Sequence, residues 1–126
     1  MPSRKDQSEH ALMVRSLARA LKEQGHTDIK VDLFGYDLPE QIYWETNKQG
    51  ETPDVTSTNI KHFIFEVETA DSIDDPHTEG QWRLFSAHAR QQSKAFVVVV
   101  PKGSEKQARQ KAAELGIKID SVWVVE

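Results

Sequence analysis

Residues 95–100 constrain the fold of this chain more than any other segment. They read Ala-Phe-Val-Val-Val-Val, an unbroken apolar run rich in β-branched residues. A strand of this composition buries both of its faces, which typically requires helices on either side of a sheet. Helix patterns precede and follow the run, so the sequence predicts an interior strand of an α/β protein.

The first helix is predicted over most of residues 4–24. Ser3 and Asp6 resemble a capping box, and Gly25 ends the pattern. The apolar stripe of this helix consists of Val14, Leu17, Ala18 and Leu21. This spacing indicates a helix with one face on the core.

Two further helices are predicted in the second half of the chain. One starts at residues 75–76, where Pro76 takes the first helical position, and ends near Ser93, and its apolar stripe consists of Trp82, Phe85 and Ala89. The other begins with a capping-box pattern at Ser104 and Gln107 and ends before Gly116.

The remaining apolar segments read as strands. Besides residues 95–100, they are residues 29–34, 54–58, 60–69 and 117–125. We expect a tight turn around Thr58-Asn59, since Asn tolerates left-handed conformations. Residues 36–52 are predicted to be mostly loop, with a short strand at 42–44.

The resulting order is helix, three strands, helix, strand, helix, strand. This order predicts an α/β protein with a mixed central sheet flanked by helices on both faces. The 126 residues are enough for one domain with a core, so a single domain over residues 1–126 is expected.

Composition excludes several classes of protein. The chain has no cysteine, which rules out disulfides, thiolate zinc sites and cysteine nucleophiles. Its longest apolar run is far below the roughly 20 residues of a membrane span, and no signal-like segment is seen at the start, so a cytoplasmic protein is expected. The net charge of −4 provides no general attraction to nucleic acid, which would need local basic patches.

Acidic residues end one of the predicted strands. The strand over residues 63–68 is apolar except for Glu66 and Glu68. Since side chains alternate along a strand, residues 63, 65 and 67 are expected to face one layer and the two acids the other. Asp54 is expected to reach the same point from the neighbouring strand. Carboxylates beside a core lose hydration, and a bound cation would compensate for this loss.

These acids and the order of elements resemble the PD-(D/E)XK nuclease superfamily, which has the restriction-endonuclease-like three-layer fold. The motif residues are Pro53-Asp54 on one strand and Glu66-Val67-Glu68 on the next. The resemblance spans nearly the whole chain. It implies that Asp54 and Glu66 bind Mg²⁺ or Mn²⁺ and that the protein hydrolyses phosphodiester bonds in DNA. Glu68 stands at the third catalytic position, normally lysine, although some restriction enzymes of the superfamily carry Glu-x-Glu.

The resemblance extends to the first and second helices. Glu9 matches a helical glutamate that lies near the metal in many members, and a solvated helix acid is the alternative. Gln81 with Phe85 resembles a Gln-x-x-x-Tyr element, which makes Gln81 a candidate catalytic residue and Phe85 a core residue. A homodimer is also expected, because so small a domain has little surface with which to wrap a duplex.

Two other functions remain open at this point. In the first, the fold serves as a binding or assembly module that has lost cleavage, as the missing lysine permits. In the second, the protein is an unrelated small α/β protein, with Asp54 and Glu66 as ordinary acids paired with a base such as Lys61 or Arg83. The five histidines lack the helical pairing of a zinc site and are expected at the surface or in helix packing.

Overall fold

The computed structural model describes residues 7–125, so the capping-box pattern at Ser3 and Asp6 lies outside the described residues. Three helices occur in this part of the chain: α1 (Gln7–Glu23), α2 (Pro76–Gln92) and α3 (Glu105–Leu115). The strands of the same part are β1 (Thr27–Val31), β2 (Ile42–Tyr43), β3 (Gly50–Glu51), β4 (Val55–Asn59), β5 (Lys61–Val67), β6 (Ala95–Pro101) and β7 (Ser121–Val125).

Five strands form one mixed sheet in the order β1-β4-β5-β6-β7. The pairs β1/β4 and β4/β5 are antiparallel, whereas β5/β6 and β6/β7 are parallel and are connected through α2 and α3. Helix α1 packs on one face and the other two helices pack on the opposite face. The predicted α/β fold with a mixed sheet between helices is therefore confirmed. Strands β2 and β3 pair separately as a short hairpin.

Strand β6 lies inside the sheet, as predicted from residues 95–100. All six of these residues are buried, and β6 has β5 on one side and β7 on the other. Phe96 and Val98 face the α2 and α3 layer, and Val97 and Val99 face α1. Both faces of the strand are covered, which explains why none of its residues is polar.

Alternation along β5 also follows the prediction. Phe65 and Val67 are buried against the α1 layer, where Phe63 also packs. Ile64 belongs to the core on the α2 side, so Glu66, two residues further along the strand, faces α2. Glu66 is fully buried.

The first and last strands are shorter than expected. Strand β1 ends at Val31, and Phe34 is fully exposed, so the prediction of a strand over residues 29–34 was wrong at its end. The strand begins earlier than expected, at Thr27, and contains a bulge near Asp28, whose φ is 50°. Strand β7 begins at Ser121 and not at Ile117, whose N–H closes α3 by donating to the Ala112 carbonyl.

The helix ends agree with the sequence patterns, with one exception. The Asp75 side chain caps α2 by accepting from the His77 N–H, and Ser93 ends the helix in the left-handed conformation. Gly116 ends α3 in the same way. The capping box at Ser104 was wrong, because the Ser104 side chain makes no cap hydrogen bond. Gln107 instead donates to Asp74 Oδ2 at 2.9 Å.

The turn between β4 and β5 differs from the expected one. Asn59 pairs with Lys61, so Ile60 alone forms the tip. Ile60 is fully exposed and has a φ of 67°, a left-handed value that β-branched residues rarely adopt. The left-handed residue is therefore Ile60, and the prediction of Asn59 was wrong.

Candidate functional site

Asp54 and Glu66 meet at one end of the sheet. Because β4 and β5 are antiparallel, the start of β4 and the end of β5 lie side by side. The Asp54 N–H donates to Glu66 Oε1 at 3.0 Å, and the Val67 N–H donates to Asp54 Oδ2 at 2.7 Å. We call this part of the sheet, with Asp54, Glu66 and Glu68, the acidic end. The two residues are therefore neighbours, but their contact runs through the Asp54 backbone N–H, and the convergence of the acidic side chains on one point stays a prediction.

His10 joins the acidic end from α1. Its Nε2 lies 3.3 Å from Asp54 Oδ2, and both side chains are about 10% exposed. Reasoning from sequence placed His10 at the surface or in helix packing and missed this contact. Its spacing to Met13 and Val14, three and four residues on, would have placed it on the buried face of the helix. Glu9, the neighbouring residue, is half-buried.

Glu68 follows β5 and extends its pairing with β6. Its N–H donates to the Val99 carbonyl at 2.8 Å, and its side chain is fully buried. Ser72 Oγ donates to Oε1 at 2.5 Å, and the Trp82 indole N–H donates to Oε2 at 3.1 Å. Both carboxylate oxygens therefore accept hydrogen bonds from buried groups, which offsets the cost of burying the carboxylate.

Ser72 organises the connection between β5 and α2. Its Oγ accepts from the Thr69 N–H at 3.0 Å, and its carbonyl accepts from Thr78 Oγ1 at 2.6 Å. The sequence did not single out Ser72, and Trp82 was assigned only to the core face of α2. The one signal for Trp82 was the indole N–H itself, which needs an acceptor when it is buried.

Gln81 lies on α2 and is 7% exposed. Its amide N–H donates to Glu51 Oε1 at 3.3 Å, and His77 Nε2 lies 3.7 Å from the same oxygen. Gln81 Oε1 is buried and accepts no hydrogen bond from the described residues. The prediction that Phe85 is a core residue is confirmed, since its side chain is fully buried and packs edge-on against Phe96.

The acidic end is where the sequence predicts a bound Mg²⁺ or Mn²⁺. Within residues 7–125, no three His, Asp or Glu side chains are grouped as ligands of one ion. Mg²⁺ keeps several waters and is often held by only one or two carboxylates, and the carboxylates of Asp54 and Glu66 are oxygen donors of the kind that it takes. Metal binding by Asp54, Glu66 and Glu9, and catalytic roles for Glu68 and Gln81, stay predictions.

Arg83 and Lys61, the bases considered as partners of Asp54 and Glu66, make other contacts or lie at the surface. Arg83 donates to Glu79 Oε2, one helical turn before it, and Lys61 is exposed at the start of β5.

No helix among the described residues is long and apolar enough to cross a membrane.

Comparison with protein-family models, with curated proteins and with solved structures found no match.

Proposed function

We propose that this protein is a metal-dependent nuclease of the restriction-endonuclease-like fold that hydrolyses phosphodiester bonds in DNA. The observation that supports this most directly is the hydrogen-bonded pair of Asp54 and Glu66 at the acidic end. The order of elements, with an antiparallel β4/β5 pair followed by α2 and the parallel strand β6, gives further support.

Asp54 and Glu66 would hold Mg²⁺ or Mn²⁺. When bound, such an ion supplies positive charge to the phosphoryl oxygens and makes a coordinated water a better nucleophile. The residues of the chain itself position the two acids. The Val67 N–H donates to the Asp54 carboxylate, beside which His10 lies, and the Asp54 N–H donates to Glu66. Glu9 is the further candidate ligand, and Gln81 would contact the substrate.

A second function is favoured by the contacts of Glu68. Both of its oxygens accept hydrogen bonds, from Ser72 and Trp82, and the side chain is fully buried. A carboxylate in this setting stabilises the β5–α2 connection and, being fully buried, is shielded from solvent water. This supports a module that keeps the fold but no longer cleaves, and that binds nucleic acid or assembles with other proteins.

A cleavage assay separates the two functions. Plasmid, linear, single-stranded and branched DNA would be incubated with the protein in Mg²⁺, Mn²⁺ or EDTA. We expect cleavage only with metal, and at least about a hundredfold loss in Asp54→Asn and Glu66→Gln, because each variant removes a charged ligand. Asp71→Asn, which changes an exposed acid near α2, serves as the matched control. Binding of DNA without cleavage would instead favour the second function as a nucleic-acid-binding module. Neither binding nor cleavage would contradict the nuclease and would leave assembly with other proteins as the form of the second function.

Glu68→Gln tests the role of the third acid. If Glu68 takes part in hydrolysis, the variant loses cleavage at a protein concentration and temperature where circular dichroism shows it folded. If Glu68 only stabilises the connection to α2, the variant unfolds at lower urea concentration but cleaves at the wild-type rate when folded.

The proposed nuclease is a homodimer. A homodimer would place two acidic ends on one duplex, one for each strand. Sedimentation equilibrium between about 1 and 100 μM protein measures it. A purely monomeric protein that still makes double-strand breaks would contradict the dimer.

A further inference from the structure

A second polar site lies at the other end of β4 and β5. It is a cleft of about 300 Å³ on the α2 side of the sheet, between the strands and residues 40–42. His62 lines it, and Glu66 lies four positions after His62 along β5, which is about 13 Å at the rise of an extended strand. The cleft is therefore separate from the acidic end.

The cleft combines apolar and polar lining residues, and we call it the polar cleft. Its lining includes the apolar Ile42 and Ile64 and the hydroxyl-bearing Thr56 and Thr58. Its volume is at the lower end of the range for small-molecule sites, which are commonly apolar with a few polar groups.

Two half-buried lysines, Lys30 and Lys94, line the polar cleft. Among the described residues, neither has a carboxylate within the 4.0 Å of an ion pair. Lys94 Nζ lies 3.1 Å from His88 Nε2, so the ammonium donates to a neutral imidazole. Burial and the Lys94 charge both lower the pKa of His88, in that order of importance, which keeps the ring neutral.

The acidic residues of the polar cleft are more exposed to solvent than its lysines. Asp28 and Glu40 also line it, but both are exposed. Charges in water are strongly screened, whereas partly buried ones are screened much less. The two lysines therefore dominate the field inside the cleft, although the formal charges of the four residues cancel.

We propose that the polar cleft binds a phosphate group through Lys30 and Lys94. A partly buried ammonium group without a counterion is unfavourable, and an oxyanion bound in the cleft would supply one. Tetrahedral phosphate accepts several hydrogen bonds, and the Thr56 hydroxyl is an additional donor beside the lysines. Thr58 Oγ1 lies 3.0 Å from His62 Nδ1, so one donor of this pair is used within it and one is left for the phosphate. The phosphate belongs to a free nucleotide or to a nucleic-acid strand. The inference goes beyond hydrolysis at the acidic end and does not require it.

The test is a titration in EDTA at constant ionic strength. Inorganic phosphate, dTMP and a six-residue oligothymidylate would be added to ¹⁵N-labelled protein, with binding followed by amide shifts and calorimetry. We expect saturable shifts at Lys30, Thr56 and Lys94. Lys30→Met and Lys94→Met should each weaken binding at least about tenfold, the loss expected for one charge-assisted contact. Lys106→Met, which removes an exposed lysine of α3 outside the cleft, should stay within about twofold.

Further variants keep the test decisive. Asp28→Asn should tighten binding about twofold, because it removes an opposing charge at the rim. The titration contains EDTA, in which the proposed hydrolysis does not take place, so a failed cleavage assay and a failed titration are distinguishable. Tighter binding of the oligonucleotide than of dTMP assigns the phosphate to a strand, and equal or weaker binding assigns it to a free nucleotide. Shifts that do not saturate, or that survive both lysine variants, overturn the proposal.

Discussion

The indole N–H of Trp82 donates a 3.1 Å hydrogen bond to Oε2 of Glu68, and both side chains are fully buried. Ser72 Oγ donates to the other carboxylate oxygen. The contact joins α2 to the residue that follows β5. Glu68 thus stabilises the packing of α2 on the sheet beside the pair Asp54 and Glu66, whatever its part in chemistry.

Trp82→Phe removes the donor but keeps an aromatic ring in the core. It should lower the free energy of unfolding by about 3 kcal/mol, because one oxygen of a buried carboxylate loses its partner and the smaller ring leaves a void. Urea denaturation measures the change. Trp44→Phe, at an exposed position, is the control and should stay within about 0.5 kcal/mol. Equal effects of the two substitutions would show that the bond to Glu68 contributes nothing.

Stability should decrease in mild acid because of His26. This ring is buried, lies 5.1 Å from Phe63 between ring centroids, and pairs with Ser57 Oγ at 2.7 Å. Burial lowers the pKa of His26 below its ordinary value of 6.5. The unfolded chain therefore binds more protons, so the stabilisation is complete above pH 6.5 and is lost as the pH falls through the folded-state pKa.

His26→Asn measures this contribution, since an Asn side chain can still pair with Ser57. Unfolding free energies between about pH 7.5 and 5.5 should fall less steeply in the variant than in the wild type. His88, whose pKa is also lowered, accounts for part of the remaining slope, and a double variant with His88→Gln should be flatter still. An unchanged slope in His26→Asn would contradict the assignment.

Ile60 is a site where substitution should stabilise the protein. It is fully exposed at the β4–β5 turn with a φ of 67°, so no buried contact is lost when it is replaced. Ile60→Gly and Ile60→Asn should each raise the free energy of unfolding by about 1 kcal/mol, because both residues adopt left-handed conformations readily. Thermal melts report the change. Ile60→Ala should gain less than either, and a loss of stability in Ile60→Gly would rule out strain at this position.

The two helix starts provide a matched pair. Asp75 caps α2 with its side chain, whereas Ser104 makes no side-chain cap bond to α3. Asp75→Ala should cost about 1 kcal/mol, and Ser104→Ala should stay within about 0.5 kcal/mol. Chemical denaturation of the two variants side by side measures the difference. A larger loss in Ser104→Ala than in Asp75→Ala would contradict the capping seen in the structure.

Local patterns were enough to predict the layers of this protein. The apolar stripes of α1 and α2, the buried run of β6 and the alternation along β5 each depend on residues a few positions apart. Burial of one face follows from such spacing because helices and strands have fixed periods. The pair Asp54 and Glu66 followed from the same reasoning, since an antiparallel pair places the start of one strand beside the end of the next.

Sequence by itself thus determined the order of elements, the faces that are buried and the meeting of two acids at one end of the sheet. Only the tertiary structure decided the partners of those acids. His10 reaches Asp54 from another layer, and Trp82 lies fourteen residues from Glu68, so neither contact follows from a local period. Such contacts depend on how whole layers pack, which depends on the fit of many distant side chains at once.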